Sequence, residues 1–417
     1  MRLYYRRLAL LVVSQILAFW ILIKILGNPG VQTLRATVGT WLSDSGFYPC
    51  TIRKLPMIFE HGDAHYFVIW ESSCPSGNPV VEWWVDDAKG SRRVTVEPRY
   101  RRIDANHHRY TAIFGPVGNA ADVFYKVSNY RQGTQQYRIH RPAKHSLHRV
   151  LVMADNQNEP ANFRRVLGRV RKLYGPGVYP DMTLHAGDVI QMPEKLEDWQ
   201  NQFFAPLEDV GGLQHRSPII FVPGNHDHDK SRRPDNHNYY TDMYHGLFDS
   251  EDLSKTLVAN GTYHQFYHSV SVGTARIIVL DAECPSPEQS MFLKRELQSA
   301  VFQGAEFKII AIHVPPYVEF WDPYAWNDKG EKHWDEHIRA EYDPLFRKHG
   351  VHLVHRGPGY APNDSITYAI RWVEDYQMYN VTYFDHHFVS LDIENKQLHW
   401  VARNVAGETI DEFVFQH

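Results

Sequence analysis

The sequence predicts an α/β fold preceded by an all-β segment and an amino-terminal membrane helix. Three observations carry this. From about residue 148 onward, short apolar runs alternate with stretches whose apolar residues recur at helical spacing. Between residues 48 and 145, short β-rich runs recur evenly with turn signals between them. Residues 8–26 form a nearly unbroken apolar run behind a basic leader.

The 417 residues, 43% of them hydrophobic and 22% charged, suffice for a large core and two or three domains. The net charge of -4 argues neither for nor against nucleic acid, and nothing else in the chain indicates a nucleic-acid partner. The 25 histidines hint at metal or acid–base chemistry without locating it. Cys50, Cys74 and Cys284 have no metal-type spacing. Cys50 and Cys74 are able to pair in an oxidising compartment, which leaves Cys284 free.

The order of segments follows. Arg2, Arg6 and Arg7 precede the run 8–26, which only Ser14, Gln15 and Lys24 interrupt. As a helix this run would be about 28 Å long, close to the hydrocarbon thickness of a bilayer. The arginines favour a cytoplasmic amino terminus and place the bulk of the chain on the extracytoplasmic or lumenal side. No small-x-small cleavage site follows, so residues 1–30 read as an uncleaved anchor and 31–47 as a linker. Asn-x-Ser/Thr sequons begin at Asn260, Asn363 and Asn380. Residues 48–145 predict strands at 65–71, 80–85, 92–97, 109–114, 122–127 and 137–140, in an antiparallel sandwich of the immunoglobulin or fibronectin kind. Trp70, Trp83, Trp84 and Tyr125 are core residues in that reading. The three arginines in 99–102 read as a solvated face.

From residue 148 the apolar runs end in polar side chains. Val150 to Ala154 leads to Asp155, and Phe163, Val166, Leu167, Val170 and Leu173 mark a helix. Met182 to Gly187 leads to Asp188, and Leu196, Trp199 and Phe203 mark another helix. Ile219 to Val222 leads through Pro223-Gly224 to Asn225-His226-Asp227. The next two runs end at Asp281 and His313, and a further one at 351–354 ends near Gly357. Strands are expected again at 381–384, 388–393, 398–403 and 412–415, flanking a largely parallel core.

Asp155, Asp188, Asn225 and His313 therefore gather two carboxylates, an amide oxygen and an imidazole at strand ends. That set suits one or two divalent ions of the Mn, Fe or Zn type. A carboxylate between two ions bridges them, and such a centre clamps a phosphoryl group and activates water. His226, oriented by Asp227, is placed either to protonate a leaving oxygen or to neutralise charge on the transition state. The competing reading makes Asp155 and Asp188 caps of the helices that follow them.

The order Asp155-x-Gln157, Gly187-Asp188, Gly224-Asn225-His226-Asp227 and His313 resembles the calcineurin-like metallophosphoesterase family. The resemblance covers the chain from about residue 148. It implies a metallophosphoesterase β-sandwich flanked by helices, and activity on a phosphorylated small molecule or other organic phosphate ester. The anchored chain with a β-sandwich ahead of this segment is similar to the purple acid phosphatase arrangement. Residue by residue, the resemblance makes Asp155 a ligand of the first metal and Asp188 the bridge. Asn225 and His313 become ligands of the second metal, and His226 with Asp227 the catalytic pair. Gln157 stands where the family has a histidine ligand. The closing Gly-His-x-His is Gly357-Pro358-Gly359-Tyr360 here, so each metal loses an imidazole. His352, His355, His386 and His387 are weak substitutes. Two functions follow from this pattern: a membrane-anchored hydrolase with an altered metal site, or an inactive pseudo-phosphatase serving as a binding or assembly module. The residues 228–244 and 315–326 are expected to overhang the site.

Overall fold

The computed structural model describes residues 52–60, 65–75, 78–85, 93–103, 107–118, 122–129, 132–193, 195–227, 266–282, 286–317, 320–321, 337–355, 370–371, 381, 383 and 385–417. The expected anchor and linker, Cys50, Cys284, the three sequons, residues 228–244 and 357–360 lie outside them. Among the described residues no helix is long and apolar enough to cross a membrane.

The strands of the first segment are β1 (Ile52–Glu60), β2 (Tyr66–Ser72), β3 (Val80–Val85), β4 (Val94–Val96), β5 (Arg99–Arg102), β6 (His108–Phe114), β7 (Asp122–Asn129), β8 (Gln132–Gly133) and β9 (Tyr137–His140). They form two antiparallel layers, β1-β2-β6-β5 and β4-β3-β7-β8 with β9 also on β7. Between the layers lies a core of Ile58, Tyr66, Val68, Trp70, Val81, Phe114, Tyr125 and Tyr137. Trp70 and Tyr125 are fully buried, as their aromatic bulk suggests. The arginine run 99–102, expected only as a solvated face, is itself a strand, exposed along its whole length at the edge of its sheet. Such charge on an edge discourages pairing with another chain. Cys74 is disulfide-bonded.

The second segment contributes β10 (His148–Met153), β11 (Met182–His185), β12 (Ile219–Phe221), β13 (His268–Val272), β14 (Ala275–Leu280), β15 (Phe307–Ile312), β16 (Phe320–Trp321), β17 (Leu353–His355), β18 (Ile370–Arg371), β19 (His387–Glu394), β20 (Gln397–Asn404) and β21 (Thr409–Gln416). One sheet runs β13-β14-β15-β17. The other, of ten strands, runs β21-β20-β19-β10-β11-β12-β1-β2-β6-β5. The two segments therefore share a sheet, joined where β1 lies parallel to β12 with Phe59 beside Ile219.

The period-2 alternation of a strand explains how this works. In β2, Tyr66, Val68 and Trp70 face the first sandwich, while Phe67 and Ile69 face the helices of the second segment. Both faces of β2 are thus buried, and residues 66–70 form an unbroken apolar run rather than an alternating one, before Glu71 and Ser72 close the strand. In β10, Val150 and Val152 face the four-stranded sheet, while Leu151 and Met153 face the helix Pro160–Tyr174. That helix buries Phe163, Val166, Leu167 and Val170 as its spacing predicts, but Leu173 is exposed. The helices Pro287–Leu297 and Asp343–Lys348 cover the other face of the second sheet, against Ile278, Leu280, Ile310 and Ile312. The result is two sheets between two helical layers. Neither described residue of the expected strand 381–384 is extended into a ladder.

Candidate metal centre

Parallel β10, β11 and β12 end on the same edge of their sheet, and β15 ends opposite them in the second sheet. Asp155, Asp188, Asn225 and His313 follow those four strand ends. Ligand atoms of Asp155, Asp188 and His313 lie within 4.8 Å of one another. His313 Nε2 lies 3.1 Å from Asn225 Oδ1 and 3.4 Å from Asp188 Oδ2. His313 Nδ1 donates to the Ala186 carbonyl at 2.8 Å, which turns Nε2 toward the carboxylates.

The backbone is bent to make this possible. Asp155 and Asp188 adopt φ of +52° and +54°, a left-handed conformation that side chains other than glycine rarely hold. The Asp155 amide donates to the Gly187 carbonyl at 3.0 Å, and the Gln157 amide to the Asp188 carbonyl at 3.3 Å, so the two turns are sewn together. Neither aspartate caps the helix that follows it: the N-cap of Pro160–Tyr174 is Glu159 and that of Leu196–Asp198 is Lys195, both without a side-chain bond. Gly224 is required, because a Cβ there would meet Asp188 N and Oδ1 at 2.3 Å. Gly187, at φ +93°, leaves no room either, with His313 Nδ1 at 2.7 Å from such a Cβ.

Asp227 is fully buried and has a different job from the one expected. Its Oδ2 accepts the amides of Asp188 at 2.8 Å and Gly224 at 2.9 Å, and its Oδ1 accepts that of Val189 at 2.9 Å. Its carboxylate holds the two turns rather than the His226 ring. Orientation of that ring falls instead to the Gln191 carbonyl, 3.2 Å from His226 Nδ1. This corrects the expectation that Asp227 orients His226.

Charge is tightly balanced in this space. Burial alone would lower the His313 imidazole, but the Asp188 and Asp155 carboxylates override it and push it up to about 10. Burial would raise Asp188, yet His313, with help from His226, holds it below the ordinary carboxylate range. Asp227 is pushed up, first by burial and then by the neighbouring Asp188. An imidazolium between two carboxylates occupies the place where a cation fits.

Gln157 Nε2 donates to Asp188 Oδ2 at 3.0 Å, and its Oε1 is buried without a hydrogen-bond partner. The donor set and this spare acceptor fit a divalent ion. His352 accepts the Lys308 amide, and His355 accepts from Trp400 Nε1. His386 pairs with Glu159 at 3.6 Å, and His387 donates to the Asp385 carbonyl. None of these four joins the donor cluster.

Sequence reasoning missed Asn156 and Gln202. Asn156 Nδ2 donates to the carbonyls of Val189 and Gln202, and its Oδ1 accepts from buried His185 Nε2 at 2.7 Å. Gln202 Oε1 accepts the amides of Asn158 and Gln191. No motif marks either residue, because each acts on backbone distant in the chain.

Residues 148–357, about half of the chain, match the family model described as calcineurin-like phosphoesterase. No curated protein matches the sequence. With the matched stretch holding all four strand-end donors, the chain belongs to the calcineurin-like phosphoesterase family.

Proposed function

We propose that the protein is a metal-dependent phosphoric ester hydrolase, anchored by residues 8–26 with its bulk on the extracytoplasmic or lumenal side of a membrane. The observation that carries the hydrolase reading is the convergence of Asp155, Asp188 and His313 to within 4.8 Å inside a phosphoesterase domain. When bound there, a divalent ion of the Mn, Fe or Zn type supplies Lewis acidity toward a phosphoryl oxygen and an attacking water. Asp155, Asp188, Asn225 and His313 would hold it. The His226 Nδ1–H rests on the Gln191 carbonyl, which leaves Nε2 as the nitrogen free to face substrate; as the imidazolium, with both nitrogens protonated, the ring would give its Nε2 proton to the leaving oxygen and return to the neutral Nδ1–H form. Asp227 keeps Asp188 and Gly224 in register so that these groups stay converged. The substrate class is an organic phosphate ester.

The membrane reading rests on Arg2, Arg6 and Arg7 ahead of the apolar run. The disulfide at Cys74 supports an oxidising compartment for the folded part.

Purified protein supplied with Mn2+ and a chromogenic phosphate ester is the direct test. Turnover is expected to depend on Mn2+ and to fall at least ~100-fold in His226→Ala and in Asp188→Asn. An Asp188→Asn variant as active as the parent removes the proposal. A second reading, a pseudo-phosphatase that binds without turnover, is favoured by one observation: Gln157 directs an N–H, not a lone pair, at Asp188. Turnover abolished by His226→Ala, in protein that holds stoichiometric metal, excludes that reading.

A further inference from the structure

With Asp227 committed to backbone amides, the His226 ring takes its direction from the Gln191 carbonyl, 3.2 Å from Nδ1. A turn carbonyl aims a side chain only as well as its own peptide plane is held. That plane joins Gln191 to Met192, and a trans peptide carries its N–H opposite its C=O. The Met192 amide, on the far side, donates to Asp198 Oδ2 at 3.2 Å. The preceding plane is held too, because the Gln191 amide donates to Gln202 Oε1 at 2.9 Å. Both grips come from one helical stretch, residues 196–204. That stretch is anchored in turn. The Trp199 indole N–H donates to the Pro193 carbonyl at 2.9 Å. In an α-helix the Gln202 carbonyl would accept the amide four residues on, but that residue is Pro206, which has none. Asn156 Nδ2 donates to it at 3.0 Å and ties the helical stretch to the turn that carries Asp155.

We infer that Asp198 and Gln202 are positioning residues for His226, acting through the two N–H groups that flank the Gln191 carbonyl. From His226 Nδ1–H the bonds run to the Gln191 C=O, and from the Met192 N–H of that same peptide to the Asp198 carboxylate. All point one way, so each polarises the next, and a charged acceptor on the N–H makes the C=O a stronger acceptor. This holds the ring in its Nδ1–H form with Nε2 toward substrate. Gln202 fixes the direction from the other side of Gln191. A carboxylate that cannot reach the ring directly thus acts on it across one peptide bond. The inference rests on the reading of His226 as the group that protonates the leaving oxygen, and goes beyond it to the residues that aim that group.

The test uses the full chain in detergent micelles and two pairs of variants. Asp198→Asn and Gln202→Glu keep an acceptor oxygen, whereas Asp198→Ala and Gln202→Met remove it. Thermal unfolding checks that each is folded. The first readout needs neither metal nor turnover. It is the His226 ring tautomer, read by nuclear magnetic resonance of metal-free protein carrying isotope-labelled histidine, at a pH where the ring is neutral. His226→Gln identifies the signals. The unaltered chain is expected to show the Nδ1–H form, and Asp198→Ala and Gln202→Met to move population to the Nε2–H form. The second readout is turnover of a chromogenic phosphate ester with Mn2+. In those two variants kcat is expected to fall about 10-fold, part of what a general acid supplies, with KM and Mn2+ affinity unchanged. Asp198→Asn and Gln202→Glu are expected to recover most of it. A folded Asp198→Ala or Gln202→Met chain that keeps the Nδ1–H form overturns the role of the residue it lacks. A loss of kcat that the oxygen-bearing variants do not recover overturns the inference as well. An unaltered chain with no turnover removes the hydrolase proposal, and the tautomer readout still decides the positioning.

Discussion

Asp227 gathers three amide protons from two turns that lie nearly forty positions apart in the chain. Asparagine has one acceptor oxygen where Asp227 uses two, so its NH2 would face a backbone N–H. Asp227→Asn is therefore expected to cost about 2–3 kcal/mol of stability, read from urea unfolding, and to weaken Mn2+ binding as the turns separate. Gly224→Ala is expected to be more severe, because the atoms it strikes are backbone and a fixed carboxylate. Little or no folded protein should be recovered, as judged by circular dichroism of the purified fraction. At this scale the sequence was partly legible. The strand-end positions of Asp155, Asp188, Asn225 and His313 could be read, since each follows an apolar run. The partners of Asp227 could not, because nothing in Gly-Asn-His-Asp says which distant amides it will meet. The donor role of Gln157 was equally hidden, since a glutamine at a ligand position reads as a weak acceptor.

Among the elements, the 3-10 turn Leu213–His215 ties the two segments together. The His215 carbonyl accepts Tyr125 Oη at 2.8 Å, its Nδ1 donates to the Pro56 carbonyl, and its ring packs on Tyr137. Burial, reinforced by Arg216 and opposed by the Pro56 bond, pushes the His215 imidazole down to about 4. The unfolded chain binds a proton near pH 6.5 that the folded chain refuses until about pH 4. Stability from this group is thus full above pH 6.5 and is lost as the pH falls toward 4. The loss is on the order of 3 kcal/mol, and His215→Gln should flatten that part of a pH–stability curve measured by urea titration. Tyr125→Phe, which removes one buried hydroxyl bond, should cost about 1 kcal/mol. Strand existence was largely legible here. The expected strands at 80–85 and 137–140 are β3 and β9 residue for residue. β1 and β13 were not expected, and the exposed β5 was masked by its arginines, since charge overrode the pattern that a strand reading needs.

For the whole molecule, the decisive feature is the ten-stranded sheet. Met57, Phe59, Phe67 and Ile69, from the first segment, share one core with Phe163, Trp199 and Phe203, from the second. Leu55 N donates to Glu208 Oε1, and Lys54 Nζ lies 3.8 Å above the Phe204 ring. Such a body is expected to unfold in one calorimetric transition, and two separated transitions would contradict a shared core. A chain shortened to begin at residue 146 should expose the β12 edge and the apolar face beneath it, and aggregate on expression. Composition and turn spacing made two segments visible in the sequence. That they share a sheet was not visible, because one bridge between Phe59 and Ile219 leaves no mark in either strand beyond ordinary hydrophobicity.

The bridge between β1 and β12 also bears on ancestry. A cassette that can be shuffled among genes must close its own borders, and here the phosphoesterase-family segment borrows a flank from its neighbour. Any chimera that swaps the second segment therefore has to bring β1 and β2 along with it.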